Sequence, residues 1–270
     1  MTKLFTIVKD EVDVIEDWII YHGCMFGWNN IFVIDNFSSD GTWEKINEFK
    51  DLISIFREPD YSKKGDYMRH LINVHCHEGE IAFPIDIDEF VVYYDKPNNI
   101  VYSDRELINN YINNLPPCTL YKANYIQASI SKPEGYEKAT NEINHGSYID
   151  MGNLAKTFFN TSYYKGHIDH GNHINSANHH LTNICLVHYH YRNIEQMKKK
   201  ILNNVQGLGY QNNLDFLKNT INTNPNCNGN HHVKHQINVL ENTFSLPLTD
   251  ENSHGVCITP LKEQIKKKYY

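Results

Sequence analysis

Apolar positions in the first ninety residues alternate between two spacings. Short continuous runs at "LFTIV" (4–8), "IFVID" (31–35), "LISIF" (52–56) and "IAFPID" (81–86) carry β-branched and aromatic residues between polar flanks and predict buried strands. Between them the spacing changes to three and four. Ile15, Trp18, Ile19 and His22 predict a helix with Asp10 as N-cap, and Trp43, Ile46 and Phe49 predict a second helix started by Ser39 or Asp40. Residues 62–78 fit a third helix. Pro84 lacks the N–H that a central strand needs, so a bulge or one-sided pairing is expected there.

In the second half, "VVYYD" (91–95), "CTLYKANYIQASI" (118–130), "GNLAKTFFN" (152–160) and "NICLVHYHYR" (183–192) predict further strands. A helix is expected from Asp104 to Leu115 and another over 193–205, capped by Asn193. The Asn-rich, apolar-poor stretch 219–232 reads as a loop. There is no internal repeat and no separating linker, so a single domain over 1–270 is expected.

Strands spaced by helices of this length imply βαβ crossovers: an α/β fold with a mostly parallel, mixed sheet flanked by helices. Ligands of open sheets bind beyond the carboxyl ends of the strands. Three polar stretches fall at such ends: Lys9-Asp10-Glu11, Asp35 to Asp40, and Asp86 to Glu89. They should line one cleft.

The formal net charge of −7 argues against a broad nucleic-acid or anionic-membrane surface. The runs Lys198-Lys199-Lys200 and Lys266-Lys267-Lys268 are basic only locally. No run approaches the roughly 18 apolar residues of a membrane span, and the N-terminus turns acidic too soon for a signal peptide. Six scattered cysteines without C-x-x-C read as reduced thiols, so a cytoplasmic protein is expected, with the sequons at Asn36 and Asn160 unused.

The candidate chemistry centres on "FPIDIDEF" (83–90). In an extended segment alternate side chains share a face, so Asp86 and Asp88 point together while Ile85 and Ile87 anchor the other side. Two like charges on one face are reconciled by a divalent cation, Mg²⁺ or Mn²⁺ for oxygen ligands, or else they are a solvated strand end. "LVHYHYR" places His188, His190 and Arg192 on one face; an imidazole there suits a metal shell and a guanidinium suits phosphate. "HIDHGNH" (167–173) adds three histidines around Gly171. A zinc site has neither H-E-x-x-H nor suitable cysteine spacing to support it.

Together, "IVKDEVDVIEDWIIYHGCMFGWNNIFVIDNFSSDGT" and "FPIDIDEF" resemble the GT-A glycosyltransferases of the family 2-like and family 92-like group. The matching positions are Glu11, Ile15, Glu16, Trp18, Tyr21, His22, Gly27, Asp35, Asn36, Ser38, Asp40, Gly41, Thr42, Asp86, Asp88, Glu89 and Phe90. "LAKTFF", "HGNH" and "HYHYRNIEQMKKK" look like later segments of the group. The resemblance is strong over 4–95 and loose over 120–205.

It implies a Rossmann-like GT-A fold with a nucleotide-binding half (1–95), an acceptor-side half (96–205) and a C-terminal loop and helical extension (206–270). It implies transfer of a sugar, with inversion, from a nucleotide donor such as a UDP-sugar to a glycan or other hydroxyl acceptor, with Mn²⁺ or Mg²⁺ bridging the diphosphate. Asp86 and Asp88 would hold the metal with His173 or His188. Val8, Glu11, Asp35, Asp66 and Arg69 would line the donor, and Asp86, Lys156, His190 and Arg192 would face its diphosphate end. The acceptor base would be Glu134, Asp169 or His167.

The group departs from this sequence around Pro84 and at "YIQASIS", before "KPEGYEKAT". Three other readings compete with the preferred one. A catalytically degenerate nucleotide- or glycan-binding protein would bind without turnover. A nucleotidyltransferase would carry a basic Gly-rich loop where this chain has "KDEVD". A metal hydrolase built on the histidines would be indifferent to UDP.

Overall fold

The computed structural model describes residues 1–118, 120–164, 166–169, 171–174, 178–249 and 255–267. The chain divides into two compact units, one of residues 1–129, 138–190 and 250–270 and the other of residues 130–137 and 191–249.

In the first unit β1 (Thr2–Val8), α1 (Ile15–Phe26), β2 (Ile31–Asp35), α2 (Thr42–Asn47), β3 (Ser54–Arg57), α3 (Lys64–His75) and β4 (Ile81–Pro84) follow one another as the apolar spacing predicts. β3, β2, β1 and β4 pair in that order, all parallel. β1 is buried along its whole length, as a strand covered on both faces must be. Phe5 stacks on Phe32 at 4.7 Å between ring centroids, and α3 closes this side of the core with Met68, Leu71 and Ile72.

Next come β5 (Glu89–Asp95), β6 (Ile100–Tyr102), α4 (Arg105–Asn113), β7 (Leu120–Ala128), α5 (Ala139–Glu142), β8 (His145–Ile149), β9 (Lys156–Asn160) and β10 (His179–His188). β11 (Val256–Cys257) and α9 (Thr259–Lys266) complete the unit. β9 joins β4 to β7, antiparallel to both. From β7 the order β8, β11, β6, β5, β10 returns to β7, so these six strands close into a ring.

The sheet is thus mixed, and the expected predominance of parallel pairing holds only for the first four strands. The reason is connection length: β5 and β6 are joined by only a few residues, too few for a parallel crossover, so they form an antiparallel hairpin. Pro84 is accommodated one-sidedly. It pairs with Phe5 of β1, while β9 on the other flank reaches only as far as Ala82.

Several local expectations change. Asp10 does not cap α1; it takes a positive φ of 55° and its carboxylate accepts from the Ser39 N–H at 2.7 Å, while the Glu11 carbonyl receives Val14 and Ile15. Neither Ser39 nor Asp40 is the N-cap of α2, which is Gly41 with a φ of 99°; Asp40, one residue earlier, accepts from the Thr42 N–H at 3.0 Å. β10 ends at His188, short of the strand expected to run to Arg192.

The second unit is helical: α6 (Ile194–Gly207), α7 (Leu214–Thr223) and α8 (Asn230–Leu240) pack around Val205, Leu217, Cys227 and Val233. Asn193 caps α6 as expected, and Asn213 caps α7. The predicted loop 219–232 is therefore mostly wrong. A few apolar positions suffice to bury α7 and α8 against α6, and the asparagines fall on outer faces and turns.

Candidate functional site

The carboxyl ends of β1, β2 and β4 carry the polar stretches predicted for them. Their local conformation decides which groups meet. The segment 85–88 is not extended. The Asp86 carbonyl accepts from the Glu89 N–H at 3.1 Å, and Glu89 Oε2 accepts from the Asp86 N–H at 2.8 Å, which folds the chain into a turn. Asp86 and Asp88 consequently meet different partners.

Asp86 is clasped by two lysines. Lys64 Nζ donates to Oδ1 at 2.7 Å and Lys156 Nζ to Oδ2 at 2.6 Å. Lys64 comes from the first turn of α3 and Lys156 from the first residue of β9; both are buried. Burial opposes the Asp86 charge, but Lys156 and Lys64 outweigh it and hold the carboxyl well below the usual range. Burial likewise opposes the charge on each lysine, and Asp86 reverses the balance, raising both ammonium groups. Lys156 also lies 3.3 Å from Glu89 Oε1 and donates to the Gly171 carbonyl at 2.8 Å. Burial pushes the Glu89 carboxyl upward despite Lys156.

Asp88, buried, faces the end of β10. Its Oδ2 lies 3.6 Å from His188 Nε2 and 3.8 Å from His190 Nδ1. One ligand atom from each of the three residues lies within 4.8 Å of the others. Ligands bound at about 2.0–2.2 Å to one ion stand roughly 3–4 Å apart, so the donor set fits a metal. One carboxylate with two imidazoles suits Mn²⁺, Fe²⁺, Co²⁺ or Zn²⁺ better than Mg²⁺, which favours oxygen. An outer layer orients the ligands. The His188 ring stacks on Tyr125 at 4.9 Å, and the Tyr125 hydroxyl donates to Glu89 Oε1 at 2.8 Å.

At the β2 end, Asp35 is fully buried and bound to Arg57 Nε at 3.0 Å and the Ser38 N–H at 3.1 Å. The Arg57 guanidinium lies over the rings of Phe37 and Trp43, at 4.4 and 4.6 Å. Val8 accepts from the Asn36 N–H through its carbonyl, and the Glu11 N–H donates to Thr42 Oγ1 at 2.8 Å.

The stretch 166–169 and 171–174 rests on the start of α3. A Cβ on Gly65 would lie 2.0 Å from the Ile168 carbonyl oxygen. Asp169 Oδ1 accepts from the His173 N–H at 2.8 Å. Burial first, then Lys156, pushes the His173 imidazole down. Among the described residues the Nδ1 of His173 and both amide atoms of the buried Asn172 have no hydrogen-bond partner. Three carbonyls, of Asn153, Ala155 and Ile174, converge on the buried Lys122 ammonium and tie this stretch to β7.

The structure therefore gathers Asp86 with Lys156, and Asp88 with His188 and His190. Asp66 and Arg69 form an exposed pair on α3 at 3.1 Å. His167 is exposed, its carbonyl accepting from the Tyr164 hydroxyl. Glu134 and Arg192 belong to the second unit, where Glu134 is exposed and Arg192 buried. His170 of the histidine-rich stretch lies outside the described residues.

Lys64, Arg57 and Tyr125 were missed in the sequence. No motif marks them. Only the topology, which puts a helix start after β3 and β7 beside β10, points to these positions.

No protein-family model matches this sequence, and no curated protein matches it. Among solved structures the chain is similar to "Crystal structure of S. aureus TarS 1-349", with 9% sequence identity and a TM-score of 0.43, over 90% of this chain and 71% of that one.

Proposed function

We propose that this chain is a metal-dependent glycosyltransferase that moves a sugar from a nucleotide diphosphate donor, a UDP-sugar, to a hydroxyl acceptor. The observation that carries the reading is the convergence of Asp88, His188 and His190 beside the Lys64–Asp86–Lys156 clasp, at the carboxyl edge of a parallel sheet. The resemblance of the D-N-x-S-x-D-G-T and D-x-D-E-F motifs to the GT-A group supports it from the sequence side.

Departure of a nucleoside diphosphate builds negative charge on its outer phosphate, and a bound divalent metal would supply Lewis-acid stabilisation of that charge. Asp88, His188 and His190 would hold the metal. Lys156 and Lys64 add fixed positive charge beside it and keep the Asp86 carboxylate ionised and immobile. Asp35, buried beneath the site, fixes Arg57, and Arg57 with Phe37 and Trp43 walls the side that takes the base or ribose. Asp169, on the stretch that contacts Lys156 through Gly171, takes the proton from the acceptor hydroxyl, with inversion at the sugar carbon.

The test is thermal unfolding with UDP, GDP, CMP and dTDP, each with and without Mn²⁺, on the wild type and on Asp88→Ala. A ligand at 100 times its dissociation constant adds about 2.7 kcal/mol. A rise in the midpoint with UDP and Mn²⁺ together, absent in Asp88→Ala, is the expected outcome. No shift with any nucleotide sinks the reading. Binding without donor hydrolysis in a panel of UDP-sugars identifies the degenerate form instead.

A further inference from the structure

A groove of about 400 Å³ lies between α4 and the β5–β10 pair. It is remote from the metal cluster. On the antiparallel β5–β10 pair, Glu89 is opposite His188 and Tyr93 is opposite Ile184, so the groove begins about 14 Å further along the strands. Nothing in the reaction above uses it.

Its lining is chemically selective. Tyr93, Tyr111 and Leu107 supply apolar surface, Asn110 and Asn114 supply amides, and His180 stands at one side. Among the described residues no carboxylate, lysine or arginine lines it. The rings of Tyr93 and Tyr111 meet edge to face at 5.0 Å, which holds both in place. Their hydroxyl oxygens accept from Asn183, Tyr93 from the side-chain amide at 3.0 Å and Tyr111 from the backbone N–H at 2.9 Å. Each phenol keeps its own O–H to donate. Asn114 donates to the Asn110 carbonyl at 2.8 Å, leaving its Oδ1 to accept.

A ligand for such a groove is uncharged, has an apolar face to lie on aromatic rings, and carries both donors and acceptors around its edge. A sugar ring has that combination: axial C–H bonds form its faces and hydroxyls its rim. The volume falls in the roughly 300–1,000 Å³ range of small-molecule sites. We propose that this groove is a second saccharide subsite, which holds a neutral stretch of a polymeric glycan acceptor away from the reacting end. The proposal rests on the glycosyltransferase reading and deepens it, by naming the acceptor as a neutral chain rather than a small hydroxyl compound.

The experiment is saturation-transfer NMR on the full chain with neutral cello-, malto-, xylo- and chito-oligosaccharides, each in a short and a long form. It is repeated with Asn110→Ala, Tyr111→Phe and Asp88→Ala. Asn110 is exposed on α4, and Tyr111→Phe keeps the ring, so both variants should fold; far-UV circular dichroism checks this. Expected is transfer from at least one oligosaccharide series, weakened by about tenfold or more in affinity by the groove variants and unchanged in Asp88→Ala. The glycosyltransferase reading fails separately, through loss of nucleotide and metal binding with the groove signal intact. The proposal is overturned if no series shows transfer, or if the groove variants bind as well as wild type. It is also overturned if light scattering shows that the chain self-associates and Asn110→Ala dissolves the assembly, for the groove is then a contact between copies.

Discussion

Lys156 Nζ stands 2.6 Å from Asp86 Oδ2, with the lysine buried and the carboxylate about one-third exposed. Without Asp86 the buried Lys156 ammonium keeps only the longer contact to Glu89 at 3.3 Å, and the buried Lys64 ammonium loses its pair with Asp86. Asp86→Ala should therefore destabilise the fold by about 3 kcal/mol, near the low end for breaking a buried pair because Asp86 keeps some solvent. Lys156→Met combined with Asp86→Asn should cost less than the sum of the two single changes. Urea unfolding of the wild type, Lys156→Met, Asp86→Asn and the double variant measures the coupling, and Asp86→Ala is unfolded beside them.

Asp88, His188 and His190 predict a metal preference. Isothermal titration with Mn²⁺, Co²⁺, Zn²⁺ and Mg²⁺ should give the weakest binding for Mg²⁺, because two of the three donors are imidazoles. His188→Ala or His190→Ala should each lower affinity by about tenfold or more. An equal response to Mg²⁺ and Mn²⁺ would remove the histidines from the ligand set.

Gly65 packs against the Ile168 carbonyl so closely that a methyl group must move backbone. Gly65→Ala should cost about 1–3 kcal/mol by overpacking. It should also weaken nucleotide binding, since Lys64 is the neighbouring residue. Equilibrium unfolding together with the melting shift by UDP and Mn²⁺ reads both effects.

His22 sets a pH dependence. The ring is fully buried; Nδ1 meets the Trp18 carbonyl at 3.0 Å, and Nε2 accepts from the Val91 N–H at 3.2 Å. Burial, only partly countered by the Trp18 carbonyl, pulls its pKa down to about 3. Between about 3 and 6.5 the unfolded chain takes a proton that the folded chain refuses, so this contribution is full above pH 6.5 and is lost as pH falls toward 3. The loss is on the order of 5 kcal/mol at the acid end. His22→Gln should flatten the stability profile over that window, measured by unfolding at a series of pH values.

The parallel half of the fold was legible because β1, β2 and β4 are short buried runs and α1 has a clear three-and-four spacing; β3, at the sheet edge, is only half-buried, and the spacing over α3 is weak. Trp18, Ile19 and His22 lie on the buried face of α1 as read. The antiparallel half was less legible: β6, β8 and β11 are short, and β8 exposes most of its residues, so no apolar run announces them. At the site, the acidic cluster was visible but its geometry was not. Whether Asp86 and Asp88 share a partner depends on one backbone hydrogen bond, from the Glu89 N–H to the Asp86 carbonyl, and that bond leaves no mark in residue spacing. Lys64 escaped notice because its role comes from a helix start that only the tertiary arrangement brings to Asp86.

The ring of six strands has a consequence for how the chain is made. β3, β2, β1 and β4 lie within the first 84 residues and can pair as they leave the ribosome. The ring can close only after Val256 and Cys257 have been synthesised, because β11 is the link between β6 and β8. β5 gains its second neighbour when β10 is made, but β6 must wait through about 150 further residues with one edge unpaired, at a synthesis rate of about 5–20 residues per second. That delay is the period when the nascent chain is most open to wrong strand pairing, and a shortened C-terminus would make it permanent.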